Sequence, residues 1–193
     1  NTIFIVLFLE DFFYSIDQKI MSYLPKLKNI KAFVFDIDGV FTDGSVYLLP
    51  DRNMSRVMSV LDGYAVVECL KQGYKIGIIT GGNVPMVQNR MEYLGIKDYY
   101  AKSSHKVSDY EDFKSKYNLQ DSEILMMGDD IPDIGIMKLA EISACPANAV
   151  PEVKAISDYI SPVFGGKGAV RDGIEQVMKV QGKWNLDEET KSA

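Results

Sequence analysis

Five short apolar runs recur along the chain, separated by stretches with helical periodicity, and that alternation leaves few folds open. Lys31 to Phe35 reads as a buried strand, Asp62 to Lys71 as a helix with Gly73 just past its end, and Lys75 to Ile79 as the second strand. A helix follows with Asn83 as its cap, Pro85 in its first turn and Gly95 after it, then a short strand near Tyr99 and Tyr100. Val107, Tyr110, Phe113 and Tyr117 recur at helical spacing. Ile124 to Met127 reads as strand four, Ile131 to Leu139 as a helix, Ile142 to Cys145 as strand five, and Gly168 to Val180 as the closing helix. Repeated βαβ units predict an α/β fold, a Rossmann-like parallel sheet with helices on both faces that binds ligands at the carboxyl ends of its strands.

A chain of 193 residues, 47% hydrophobic, fits one domain with a sizeable core. The expected limits are 21–184, with residues 1–20 an extension outside the fold and 185–193 a tail. The apolar run Ile3 to Leu9 is too short to span a bilayer and is followed by Glu10 and Asp11, while Met21 stands just ahead of the first clear strand. A net charge of −6 and a single histidine, His105, argue against nucleic acid or an anionic membrane as partner. Cys69 and Cys145 stand far apart, without metal-ligand spacing, and read as core residues in a reducing cytoplasm.

The polar residues that follow the strands carry the chemistry. Strand one runs into Asp36-Ile37-Asp38-Gly39, strand two into Thr80-Gly81-Gly82, and strand four into Gly128-Asp129-Asp130 with Asp133 following; Lys106 opens the helix between them. A lone Asp-x-Asp is commonly a solvated turn, Thr80 alone a cap and Lys106 alone a surface lysine. Their joint placement at strand ends points to a site. Mg²⁺ takes oxygen ligands, usually one or two carboxylates beside waters and a substrate phosphate, and Asp36 and Asp129 can supply them. With Lys106 and Thr80 on the phosphoryl oxygens, Asp36 can attack phosphorus in line. Asp38 then protonates the leaving alkoxide and later deprotonates the hydrolytic water.

Asp36-Ile37-Asp38-Gly39-Val40, Ile79-Thr80-Gly81, Lys106 and Gly128-Asp129-Asp130-x-x-Asp133 resemble, in order, the four motifs of the haloacid dehalogenase superfamily. The resemblance implies that fold, with Asp36 as nucleophile and Asp38 as acid/base and, through its backbone carbonyl, a metal ligand. Thr80 and Lys106 hold phosphate, and Asp129 completes the metal site. Asp130 and Asp133 orient waters or Lys106, although an acidic residue at a helix start, serving only the dipole, fits Asp130 nearly as well. The intervals between motifs leave no room for a cap domain; residues 45–61 instead suit a β-hairpin, Val46 to Leu49 and Met54 to Val60 around Pro50-Asp51-Arg52-Asn53.

Thr42-Asp43-Gly44, Asp62-Gly63-Tyr64 and Gly165-Gly166-Lys167-Gly168-Ala169-Val170-Arg171 narrow the likeness to the 3-deoxy-D-manno-octulosonate 8-phosphate phosphatases of lipopolysaccharide synthesis, over Lys31 to Trp184. That family implies a homotetramer, with the hairpin in the subunit contact and the glycine-rich tail reaching a neighbour's site. It also implies substrate contacts from Asp62, Gly63, Gly81, Arg90, Lys167 and Arg171. A solvated helix face is the plain alternative for Arg90, and a surface salt bridge for Arg171. Many members carry arginine where Leu61, Val67 and Gly82 stand here, which leaves fewer cations for a sugar-acid carboxylate and makes a nine-carbon keto-deoxy sugar acid 9-phosphate a competing substrate. Two other classes are a non-catalytic oligomerisation partner of a sugar-activating enzyme and a phospho-acceptor receiver. The intact Asp36, Asp38, Thr80, Lys106 and Asp129 oppose the first. The second places its phospho-acceptor on a later strand.

Overall fold

The computed structural model describes residues 23–50 and 54–184; the extension 1–20, the hairpin tip 51–53 and the tail 185–193 lie outside them. Six strands form a parallel sheet: β1 (Ala32–Phe35), β4 (Lys75–Ile79), β5 (Asp98–Tyr100), β6 (Ile124–Met127), β7 (Ile142–Cys145) and β8 (Tyr159–Ile160). Their spatial order is β5-β4-β1-β6-β7-β8, so β1 and β6 are central. All four residues of β1 are buried, and likewise in β6, as expected where helices cover both faces. Side chains alternate across the sheet. Phe33, Phe35, Leu125 and Met127 pack with α1 (Val60–Lys71), α2 (Pro85–Tyr93) and α6 (Ala169–Val180). On the other face Val34 and Met126 meet α3 (Lys106–Tyr117), α4 (Ile134–Met137) and α5 (Pro151–Ile156).

Several boundaries differ from the sequence reading. Asn83 is not the cap of α2; Val84 is, in extended conformation (φ −114°, ψ 109°), because the ring of Pro85 pushes the residue before it out of helical space. The helix expected over Ile131 to Leu139 is a 3-10 turn, Ile131–Asp133, leading into α4. Asp130 caps that turn, its Oδ1 accepting the Ile131 N–H, and Pro132 sits in its first positions. α1 begins two residues early, at Val60, capped by the Ser59 hydroxyl. α5 and β8 carry too few residues to show a period in the sequence. Among the described residues no cap domain interrupts the sheet. The hairpin reduces to β2 (Tyr47–Leu48) against β3 (Met54–Ser55), paired antiparallel.

Candidate active site

Asp36, Asp38, Thr80, Gly81, Lys106, Asp129, Asp130 and Asp133 line one cavity of about 460 Å³ at the carboxyl ends of β1, β4 and β6. The parallel register brings them there: Phe35 pairs with Ile78 on one side and Met127 on the other, so the loops after the three strands leave the sheet together. Gly39 (φ +91°) lets the first loop turn back. A Cβ on it would stand 1.9 Å from Asp129 Oδ2, so this close approach requires glycine.

Lys106 Nζ donates to Asp36 Oδ1 at 3.0 Å and to Asp133 Oδ1 at 2.7 Å. The other oxygen of Asp133 accepts the backbone N–H groups of Asp129 (3.1 Å) and Asp130 (3.3 Å). Asp133 therefore fixes both the lysine and the loop that carries Asp129. Asp130 instead serves its own 3-10 turn, the helix-start alternative left open for it. Burial, then the neighbouring Asp133, pushes the Asp36 carboxyl up, with Lys106 opposing. Burial and the charges of Asp36, Asp133 and Asp130 push Asp129 up to about 7. Burial alone would lower the Lys106 ammonium, but Asp36 and Asp133 raise it above its ordinary value.

Carboxylate oxygens of Asp36, Asp129 and Asp133 lie within 4.8 Å of one another, and Asp129 Oδ1 is buried without a hydrogen-bond partner. One lysine does not neutralise three carboxylates, two of them buried and Asp129 half-buried. This donor set, hard oxygen with an orphaned lone pair, fits a divalent cation such as Mg²⁺.

The anion side of the cavity is formed by Thr80 and α3. The Thr80 side chain is buried, and its Oγ1 accepts the Gly82 N–H at 3.1 Å, which leaves its own hydrogen free to donate. No side chain caps the first turn of α3, whose amide end and Lys106 both favour negative charge.

Two residues at the site were not anticipated. Arg56, one residue past β3, reaches Asp38: Nε donates to Oδ1 at 2.6 Å and Nη2 to Oδ2 at 2.9 Å. The family resemblance assigns the hairpin from Val46 to Val60 to a subunit contact, and an arginine at a polar position within it is the only sequence signal of this one. Ser103 lines the cavity with a buried Oγ that has no partner. Its signal was its place after β5, by the same strand-end rule that singled out Thr80.

The remaining substrate candidates lie elsewhere. Asp62 is buried in the first turn of α1, where Oδ1 accepts the Arg171 N–H at 2.8 Å, capping α6 from outside. Burial raises its carboxyl to about 6 against the N–H groups of Arg171, Gly168 and Val170. A Cβ on Gly63 would meet Arg90 Nη2 at 2.7 Å, so glycine admits that guanidinium. Arg90 lines a second cavity of about 630 Å³ between the hairpin and α2, which also includes Arg56 and Met58. Lys167 is exposed and near Asp43. Arg171 is not on a free tail: it sits in the first turn of α6, donates to Glu175 Oε1 at 2.5 Å, and lies over the rings of Tyr64 and Trp184. Gly165 and Gly166 pack within their own subunit, Gly166 donating to Val40 O at 3.0 Å.

The family model of the haloacid dehalogenase-like hydrolases matches residues 55–141. The chain is 32% identical to the 3-deoxy-D-manno-octulosonate 8-phosphate phosphatase of Escherichia coli K12 over 165 residues, 86% of this chain and 87% of that protein. The Moraxella catarrhalis enzyme of the same name, solved with a magnesium ion, a phosphate ion and KDO, superposes with a TM-score of 0.82 at 29% identity, covering 84% of this chain and 94% of that one. The Yersinia pestis enzyme superposes with a TM-score of 0.81 at 28% identity, covering 83% and 86%. The chain belongs to the 3-deoxy-D-manno-octulosonate 8-phosphate phosphatase family of the haloacid dehalogenase-like hydrolases.

Proposed function

We infer that this protein is a Mg²⁺-dependent phosphomonoesterase that hydrolyses 3-deoxy-D-manno-octulosonate 8-phosphate to the free sugar acid and phosphate, in lipopolysaccharide precursor synthesis. The observation that carries the reading is the Lys106 bridge between Asp36 and Asp133 beside the orphaned Asp129 oxygen. Asp36 and Asp129, with the backbone carbonyl of Asp38, would hold the cation, which when bound neutralises phosphoryl charge. Lys106 and the Thr80 hydroxyl bind phosphoryl oxygens and turn phosphorus toward Asp36. Asp36 attacks and the ester bond breaks; Asp38, released by Arg56 at one oxygen so that it can carry a proton, gives that proton to the departing alkoxide. Asp38 then takes a proton from the water that cleaves the aspartyl phosphate.

Neither the nine-carbon competitor nor the non-catalytic alternative is favoured beside relatives named for the eight-carbon substrate. Exposed Leu48 (82%) and Val60 (77%), with Val46 and Val57, support a homo-oligomer built through the hairpin, with a tetramer as the specific expectation. Arg90 and Lys167 remain proposed substrate contacts, and residues 21–184 the proposed domain. The absence, among the described residues, of a helix long and apolar enough to cross a membrane is compatible with a cytoplasmic enzyme. A panel of phosphorylated sugar acids assayed with Mg²⁺ tests the reading. The eight-carbon acid should be hydrolysed with the highest kcat/KM; preference for the nine-carbon 9-phosphate would reassign the substrate, and no turnover of any phosphate ester would remove the enzyme reading.

A further inference from the structure

The Ser103 hydroxyl lines the same cavity as Thr80 and Lys106, is buried, and makes no hydrogen bond. A buried hydroxyl without a partner is costly, and native structures rarely keep one without a use. The segment that carries it is held in place by its backbone. Thr80 N–H donates to Tyr100 O, Lys102 N–H to Gly82 O and Ser103 N–H to Thr80 O, each at 3.0 Å. These three bonds lace the turn after β5 to the Thr80–Gly82 loop. Lys102 takes the left-handed conformation there (φ +54°), which turns the chain sharply before α3. Ser103 is therefore fixed beside the residue expected to donate to phosphate, on a backbone that cannot drift from it.

We propose that the Ser103 hydroxyl is a further phosphoryl-binding donor, working beside Thr80 on an oxygen of the transferring group. The assignment rests on the phosphatase reading above. Other roles for the hydroxyl fit less well. A structural serine would have found a backbone carbonyl, as Ser157 does with Val153 O at 2.8 Å. A donor held for a ligand keeps its hydrogen bond unmade until the ligand arrives, and a phosphoryl oxygen bears the negative charge that makes such a bond strong.

The test is Ser103→Ala in the full chain with Mg²⁺, read by calorimetric binding of inorganic phosphate and by steady-state kinetics on the sugar-acid phosphate and on p-nitrophenyl phosphate. Loss of one hydrogen bond to a charged oxygen should weaken phosphate binding by roughly 10-fold and raise both KM values by a similar factor. Because the phosphoryl group is common to all three ligands, the factors should agree. Without phosphate the variant should melt no lower than the parent, since the hydroxyl it removes is unpaired. Ser103→Thr, which restores a hydroxyl, should recover most of the binding. If alanine destabilises the chain, Ser103→Cys, which keeps the bulk and weakens the donor, gives the same comparison. Unchanged phosphate binding, or a loss confined to the sugar-acid phosphate, would overturn the assignment. Phosphate binding needs no turnover, so failure of the substrate or enzyme reading shows separately, in the unaltered protein.

Discussion

Arg56 holds Asp38 by both carboxylate oxygens, through Nε at 2.6 Å and Nη2 at 2.9 Å, and its own side chain is only 7% exposed. A bidentate guanidinium fixes the plane of a carboxylate as well as its position. The hairpin therefore contributes to the catalytic cavity as well as presenting an apolar surface, since it carries the group that orients the proposed acid/base. Arg56 also lines the cavity that contains Arg90, so one side chain links that space to Asp38 of the catalytic cavity.

Removing that grip should matter in proportion to the need for protonation. Arg56→Met, which keeps the apolar stem, should lower kcat/KM for the sugar-acid phosphate by roughly 10–100-fold through misplacement of Asp38. For p-nitrophenyl phosphate, whose leaving group departs unprotonated, the loss should stay below about 3-fold. Arg56→Lys should recover part of the difference. Equal losses on both esters would show that Arg56 acts through general structure rather than through Asp38.

Proton release should accompany cation binding. Asp129 is pushed up to about 7 and Asp36 is raised in the same direction, so near neutrality the metal-free cluster retains proton that a cation must displace. Mg²⁺ affinity should fall as pH drops from 8 to 6. Calorimetry in buffers of different ionisation enthalpy would count the protons released, and a pH-independent affinity with no release would contradict the electrostatics described.

Asp62 provides a pH test of stability away from the cavity. Its folded-state carboxyl, at about 6, lies above the ordinary 3.8, so its favourable contribution is complete below about pH 4 and is lost as pH rises through 6. Asp62→Asn keeps an acceptor for the α6 amides but cannot ionise. Relative to this variant the parent should lose stability between pH 4 and 6, on the order of 1–3 kcal/mol, and no more above that. Urea unfolding of both proteins across the range measures it; a difference that does not change with pH would mean Asp62 is not held above its ordinary range.

The sheet and the Asp36, Thr80, Lys106 and Asp129 cluster were legible because a buried parallel strand is a short apolar run and its carboxyl end is where polar side chains gather. Arg56 was not, because its contact with Asp38 spans two loops and no local period records it. Arginine is missing at Leu61, Val67 and Gly82, yet a cation stands beside Asp38 from the hairpin. Asp62 looked like a substrate contact because its sequence neighbours match the family. Its carboxylate caps a helix more than a hundred residues later, a tertiary fact without a sequence signature. Arg171 pairs with Glu175 one helical turn on, the salt bridge that is the plain alternative to a substrate contact.

Catalysis through Asp36 passes through a covalent aspartyl phosphate, which chemical trapping can locate. Enzyme turning over the sugar-acid phosphate with Mg²⁺ is quenched in acid and reduced with borohydride, which converts an aspartyl phosphate to homoserine. Peptide mass spectrometry then locates the modified position. Homoserine should appear at position 36 alone, with none in Asp36→Asn, which should not turn over, and a signal still at 36 in Asp38→Asn, whose turnover should fall by roughly 10²–10⁴-fold. Homoserine at another aspartate, or wild-type turnover by Asp36→Asn, would contradict catalysis through Asp36.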